Sequence, residues 1–366
     1  MISYFILLGL FVGIYGLLGL GLNVQWGYAG LLNFGYGAFM LVGTYTTVLL
    51  TLQGVPWVIA PMVAMGLAAA LGGLLGLLTL RLREDYLAVV TIGVAEVLRL
   101  VAVNEAQLTG GTQGLQGFPV PGQGWEPGIW ARGAMIGGVT VLLGLWCWGV
   151  WRRWRRGAGM SWRRGVLGLG LGGVVLAIYG AETYALYYYN WVPAFERSSL
   201  LLLLLAVLTL AFGAIDRLMA SPWGRVLQGI REDERLATAL GKSVFRYKVQ
   251  ALMLGGAIAA LAGAFYGWQL AAVFPDSFKP QLTFDAWTIV VLGGSATLLG
   301  PVLGSVCFWG YDSVTRLVFA QLAQQEWGDS RLGALRVLVI GLLLMVFMVK
   351  RPQGLLGDRD ALTLNR

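Results

Sequence analysis

Two pairs of opposite charges stand where charges are expensive. Glu96 and Arg99 lie three residues apart inside an apolar run, and Asp312 and Arg316 repeat the pattern at four residues near the end of another. At these spacings side chains meet on one helix face and pair. A charge inside a membrane span is costly and is read first as functional. Two readings of Glu96–Arg99 therefore stand together: a structural intrahelical bridge, or a polar station on a solute pathway. A second polar group, Asn23, Gln25 and Asn33, falls in a Gly-rich interruption with Gly35. Side-chain amides there can meet an ammonium or a carboxylate in passing.

Other chemistry is excluded. The chain has no histidine, which removes Ser-His-Asp and Cys-His triads and His-ligated zinc or haem. Cys147 and Cys307 are far apart, each in an apolar run, and give no CxxC site. No catalytic or metal-ligating cluster is found, so no covalent chemistry is expected. Gly241-Lys242-Ser243 resembles the end of a P-loop, but position 236 is Leu where that motif needs Gly. Gly168, Gly170 and Gly173 satisfy GxGxxG inside a Gly-rich apolar run, where small residues serve close helix packing. The chain is not expected to hydrolyse ATP by itself.

The elements that must position these residues are membrane helices. Of the 366 residues, 57% are hydrophobic and 12% are charged, about half the usual charged share. Apolar runs fall at 3–22, 35–52, 57–80, 86–104, 132–151, 165–189, 198–213, 247–272, 284–300, 301–322 and 333–350. They show no β-barrel alternation, and lipid leaves an open backbone unsatisfied, so each reads as a helix. The expected fold is all-α and polytopic, with about 10–11 spans in one membrane domain over 1–366. The first run lacks a basic leader and a cleavage site, and is expected to stay as a span.

Basic residues fix the orientation. Arg81 and Arg83, the arginines of 152–164, the seven Lys and Arg of 214–248, and Lys350, Arg351, Arg359 and Arg366 make 19 of the 26. They fall on one side, which is then cytoplasmic, with the C-terminus inside. The net charge of +8 is thus loop asymmetry and does not point to nucleic acid. Tyr187–Trp191 reads as an aromatic belt at the outer interface.

The loop at 214–248 carries the most specific signal. Ser221 suits an N-cap, Pro222 the first helical position and Gly241 a C-cap. Val226, Leu227, Ile230, Ala237 and Leu240 recur at helical spacing, predicting one amphipathic helix over 222–241. Its other face carries Arg225, Arg231, Glu232, Asp233, Glu234 and Arg235. Such a helix is either solvated or a docking element.

The chain here resembles a family. Arg231-Glu232-Asp233-Glu234, Ala237-x-Ala239-Leu240-Gly241 and Arg246-Tyr247-Lys248 look like the coupling loop of LivM-type branched-chain amino-acid ABC permeases. Gly27-Tyr28-Ala29-Gly30-Leu31-Leu32-Asn33-Phe34-Gly35, Asp85-Tyr86-Leu87-Ala88-Val89-Val90-Thr91 and Leu108-Thr109-Gly110-Gly111-Thr112 also match. So do Val291-Leu292-Gly293-Gly294, Gly300-Pro301-Val302-Leu303-Gly304 and Arg351-Pro352-Gln353-Gly354-Leu355-Leu356. The blocks run in family order over nearly the whole chain.

The resemblance implies a permease subunit of an ABC importer in a bacterial inner membrane. Its implied partners are two ATPase subunits carrying ATP-Mg, a second permease chain, related but different, and a periplasmic solute-binding protein. This chain itself would hold no cofactor. Arg231 to Glu234, Ala237, Leu240 and Gly241 would couple to the ATPase, and Gly110, Gly111 and Thr112 would face the binding protein. Asn23, Gln25, Asn33, Gly35, Glu96, Arg99, Gly293 and Gly294 are the pathway candidates. Gly/Pro interruptions in both halves suggest an internal inverted repeat and broken helices lining a cavity, with close packing through small residues as the alternative. The cargo is a neutral or branched-chain amino acid, or urea or a short amide. An ion-coupled secondary transporter would have more unpaired acids in its spans and no docking helix, and a membrane enzyme would need a reactive cluster.

Overall fold

The computed structural model describes residues 2–79, 84–122 and 192–323, isolated positions within 133–144 and 338–350, and the turn at 354–356. Among the described residues the helices are α1 Ile2–Leu22, α2 Gly37–Leu52, α3 Ile59–Thr79, α4 Glu84–Asn104 and α5 Ala106–Thr109. They continue with α6 Val192–Ala220, α7 Pro222–Glu232, α8 Glu234–Ala239, α9 Val244–Leu270, α10 Pro280–Gly293 and α11 Leu299–Ala323. The protein is an all-α polytopic membrane protein, as its apolar runs lead one to expect. Among the described residues, five stretches are long and apolar enough to cross a membrane: Tyr4–Tyr28, Ile59–Thr79, Tyr86–Asn104, Ser199–Ala220 and Val244–Leu270. The runs at 132–151, 165–189 and 333–350, the aromatic cluster at 187–191 and Gly168–Gly173 fall outside the described residues, isolated helical positions aside.

α1 and α9 form the axis of the bundle. α1 packs on α11, α9, α6 and α10, while α9 packs on α2 and α3. Leu10, Ile14 and Leu17 of α1 are fully buried, as expected of a helix that is apolar all round. Helix association in lipid depends on close van der Waals contact and interhelical hydrogen bonds. Both occur between α2 and α9. A Cβ on Gly43 would stand 2.3 Å from Ala260 Cα, and the Thr44 hydroxyl lies 2.8 Å from Gly263 O.

Two interruptions break the helical pattern. After α1 the chain widens into a π-turn, Asn23–Tyr28, and then runs irregularly to Gly37. The second interruption separates α10 from α11, with left-handed backbone at Gly294 (φ 109°) and Ala296 (φ 61°). The sequence pattern places this boundary between 300 and 301. The structure puts it at 294–298 and sets Pro301 in the first turn of α11, where its missing N–H breaks no intrahelical bond.

On the side away from α7 and α8, a small antiparallel ladder joins two loops. Leu115 pairs with Val273 and Gln116 with Ala272. This is the sheet content among the described residues.

Candidate coupling loop and solute pathway

The loop predicted as one helix is two. α7 begins with Pro222 in its first turn, as its sequence demands, and ends at Glu232. Asp233 then takes an extended conformation (φ −153°, ψ 107°) and caps α8, its carboxylate accepting from Arg235 N at 2.8 Å and Leu236 N at 3.0 Å. A side chain that satisfies two orphan N–H groups nucleates a new helix. Ser221 occupies the N-cap position of α7, but its hydroxyl donates back to Leu218 O at 2.6 Å. α8 closes on a Schellman pair, Gly241 N to Thr238 O (2.9 Å) and Lys242 N to Ala237 O (3.1 Å), with Gly241 at φ 76°. Gly241-Lys242-Ser243 thus lies between two helices, with α8 and not a strand directly before it.

The break divides the apolar face. Leu227, Ile230 and Ala237 turn inward and are buried, whereas Leu240 is 70% exposed, beside Leu236 at 60%. Between the helices opens a groove of about 370 Å³ lined by Val226, Gly229, Glu232, Asp233, Leu236 and Leu240. Glu234 is held from behind by the buried Lys248 of α9 in an ion pair.

Arg231 is exposed as a residue, like Glu232, but its guanidinium turns back toward the first interruption. Its Nη1 donates to Gly27 O, 2.5 Å away in the π-turn. Its stem lies against Gly30, whose φ of +72° is left-handed backbone. Partial burial pushes the guanidinium pKa below its usual value, partly offset by the nearby Glu232.

The pathway candidates of the first interruption are fully buried and stitched to protein. Asn23 donates from Nδ2 to Thr297 O (2.9 Å) and accepts from Ala296 N (3.0 Å), so one amide clasps the second interruption to the first. Gln25 donates to Leu252 O in α9 (3.1 Å) and accepts from Asn33 Nδ2 (2.9 Å). Asn33 Oδ1 accepts from Gly35 N (3.0 Å). Gly35 approaches Thr91 of α4, and the neighbouring Phe34 N donates to Thr91 Oγ1 at 3.2 Å. These contacts satisfy the irregular backbone that lipid cannot serve.

Sequence reasoning missed several supports of this junction. Trp287 donates to Asn33 O (3.1 Å) and stacks on Phe34 at 4.9 Å. Tyr36 donates to Gly255 O (2.9 Å), and Thr283 Oγ1 accepts from Gly37 N (2.9 Å). Gly293 and Gly294 end α10, and residues 354–356 cap that end. Leu355 N donates to Leu292 O and Leu356 N to Gly293 O, each at 3.0 Å.

Glu96 and Arg99 do pair, with Arg99 Nε 3.0 Å from Glu96 Oε2. Arg99 also reaches Asp276 at 2.9 Å, and Asp276 pairs with Lys279 at 3.2 Å. The group therefore joins α4 to the loop before α10 and stands apart from Asn23, Gln25 and Asn33. Asp312 and Arg316 pair at 2.8 Å. Gly110 and Gly111 take left-handed backbone, Gly111 is buried and Thr112 is exposed, in the loop whose strand meets residues 272–273.

Two short loop helices are thus fastened to a broken first span in a polytopic membrane protein. The chain belongs to the family described as branched-chain amino acid transport system / permease component, whose model matches residues 4–348. It is 32% identical to the high-affinity branched-chain amino acid transport system permease protein LivM of Escherichia coli (strain K12), over 94% of this chain and 68% of that protein. It is 23% identical to the probable branched-chain amino acid transport permease protein LivM of Methanocaldococcus jannaschii, over 97% of this chain and 93% of that one. BraD of Pseudomonas aeruginosa, a high-affinity branched-chain amino acid transport system permease protein, matches 43% of the chain at 26% identity. No solved structure matches the chain.

Proposed function

We propose that this chain moves branched-chain or neutral amino acids inward across a bacterial inner membrane as one permease of an ABC importer. The observation that carries the reading is the family match over residues 4–348. The partners are two ATPase subunits that bind ATP-Mg, a second and different permease chain, and a solute-binding protein. α7 and α8 lie on the cytoplasmic side, as does the C-terminus, since the 214–248 loop carries seven basic residues. The groove with Leu236 and Leu240 at its rim receives the ATPase, with Glu232 beside it setting charge complementarity.

The pathway runs along the junction of the two interruptions. Asn23, Gln25 and Asn33 shape its wall from behind, since their amides are already engaged by protein groups. An importer fed by a binding protein has no need of a tight site in the membrane. Gly110 to Thr112 and the Arg99–Asp276 group face the binding protein on the opposite side.

Uptake in proteoliposomes tests this, with the chain, its cognate ATPases, second permease and binding protein. Labelled leucine, alanine and urea are compared with and without ATP, and with ion gradients collapsed. ATP-dependent leucine or alanine uptake that survives collapse is expected. Uptake of urea alone would replace the cargo, and gradient-dependent uptake indifferent to ATP would end the ABC reading. Glu232→Arg with Asp233→Asn tests docking while keeping the α8 cap, because Asn caps about as well as Asp. It should abolish uptake yet leave the chain in the membrane.

A further inference from the structure

Three pieces of backbone meet through two side chains. The end of α7 holds the first interruption by Arg231 on Gly27 O. Four residues before Gly27, Asn23 holds Ala296 and Thr297 in the second interruption. Gly27 packs against both partners of that clasp, since a Cβ there would stand 2.7 Å from Ala296 N and within 2.9 Å of the Asn23 amide carbon. Ile230, 1% exposed, anchors the same turn as Arg231, so α7 cannot shift without carrying the guanidinium along. Beside the contact lies a polar cleft of about 360 Å³ lined by Ala29, Gly30, Glu232, Asp233 and Arg235. A charged donor on a carbonyl is among the stronger hydrogen bonds.

We propose that Arg231 is a positioning residue that transmits displacement of the α7–α8 loop to the first interruption through Gly27, and through Asn23 to the second. The proposal rests on the reading that α7 and α8 dock an ATPase. On that basis nucleotide-driven movement of the ATPase pulls on Gly27, and the π-turn, whose hydrogen bonds are already atypical, is the element that yields. Asp233 supplies the hinge between the two helices of the loop.

The test uses the assembled transporter with Arg231→Ala and Arg231→Lys. Measured are co-purification of the ATPases, ATP hydrolysis, leucine uptake, and amide exchange over 23–35 and 222–241 with and without nucleotide. Arg231→Ala should keep the ATPases bound and hydrolysing but lower leucine moved per ATP by about tenfold or more, the worth of a charged hydrogen bond. Arg231→Lys, which keeps a charged donor group without the planar fork, should recover part of the loss. In the wild type, nucleotide should alter exchange in both segments, and in Arg231→Ala only in 222–241.

Wild-type uptake per ATP in Arg231→Ala would overturn the proposal, as would nucleotide-dependent exchange in 23–35 persisting in that variant. Loss of bound ATPase in Arg231→Ala would also overturn it, making Arg231 a docking residue instead. ATPases that fail to bind the wild-type chain through this loop would end the docking reading itself, a distinct result. Should Arg231→Ala not fold, the Lys variant carries the test, and full coupling there with the exchange response in 23–35 lost would refute transmission.

Discussion

Replacing Asn23 by Ala removes one side chain and severs two bonds between segments more than 270 residues apart. Asn23 is fully buried. The substitution leaves Ala296 N–H without its acceptor and takes the donor from Thr297 O, which sit 3.0 and 2.9 Å from the amide. Both bonds are part-buried, and a hydrogen bond of this kind contributes about 0.5–1.5 kcal/mol, so the junction loses about 1–3 kcal/mol. At about 1.4 kcal/mol per tenfold, local opening of the second interruption rises at least about fivefold. The assay is hydrogen exchange read on peptides covering 290–300 in the purified chain. Exchange at Ala296 is the specific reporter, because its N–H is the donor of one lost bond. Asn23→Asp keeps an acceptor for Ala296 while changing the group facing Thr297. It should protect the Ala296 amide better than Ala does, whatever it does to overall stability. Unchanged exchange at 296 in Asn23→Ala would refute the clasp.

Other outcomes follow from single contacts. Asp233→Ala should loosen α8 by about 0.5–2 kcal/mol, seen as faster exchange over 234–240, while Asp233→Asn should leave it near wild type. Leu355→Pro deletes the N–H that caps Leu292 O and should lower the thermal midpoint in detergent, whereas Leu355→Ala keeps the donor and should do so far less. Gly43→Leu should block folding outright, since even a Cβ there falls 2.3 Å from Ala260 Cα. Arg99→Gln takes the shared cation from Glu96 and Asp276, so its destabilisation should be largely relieved by a second change, Glu96→Gln, in a double-mutant cycle.

How much of this was legible depends on the range of the interaction. Helix positions were readable because span length and lipid chemistry are local constraints, and α2, α3 and α4 fall close to their apolar runs. The interruptions were readable through Gly27, Gly30, Gly35, Gly293 and Gly294. The break at Asp233 was not, because a carboxylate among Arg231, Glu232 and Glu234 looks like any solvated charge. Its capping role depends on its own backbone angles. Arg231 read as one more outward charge for the same reason, and nothing in its spacing foretold Gly27. The pairing of Glu96 with Arg99 was readable at three residues, and Asp276 as its third member was not. Asn23 and Asn33 stood out as polar residues in an apolar stretch, but their partners in the loop before α11 and in α10 lie far along the chain.

The same distances set an order of events during synthesis. Asn23 is made well before its partners Ala296 and Thr297, which follow it by more than 270 residues. The carbonyls of Leu292 and Gly293 wait longer still, for the backbone of 355 and 356. Until then the first span must be held in the bilayer with its π-turn unsupported, and an exposed amide at that depth needs shelter. The junction of the two interruptions therefore closes only after residues 292–297 and 355–356 have been made. A half-made chain can have its first helices inserted while this junction is still open.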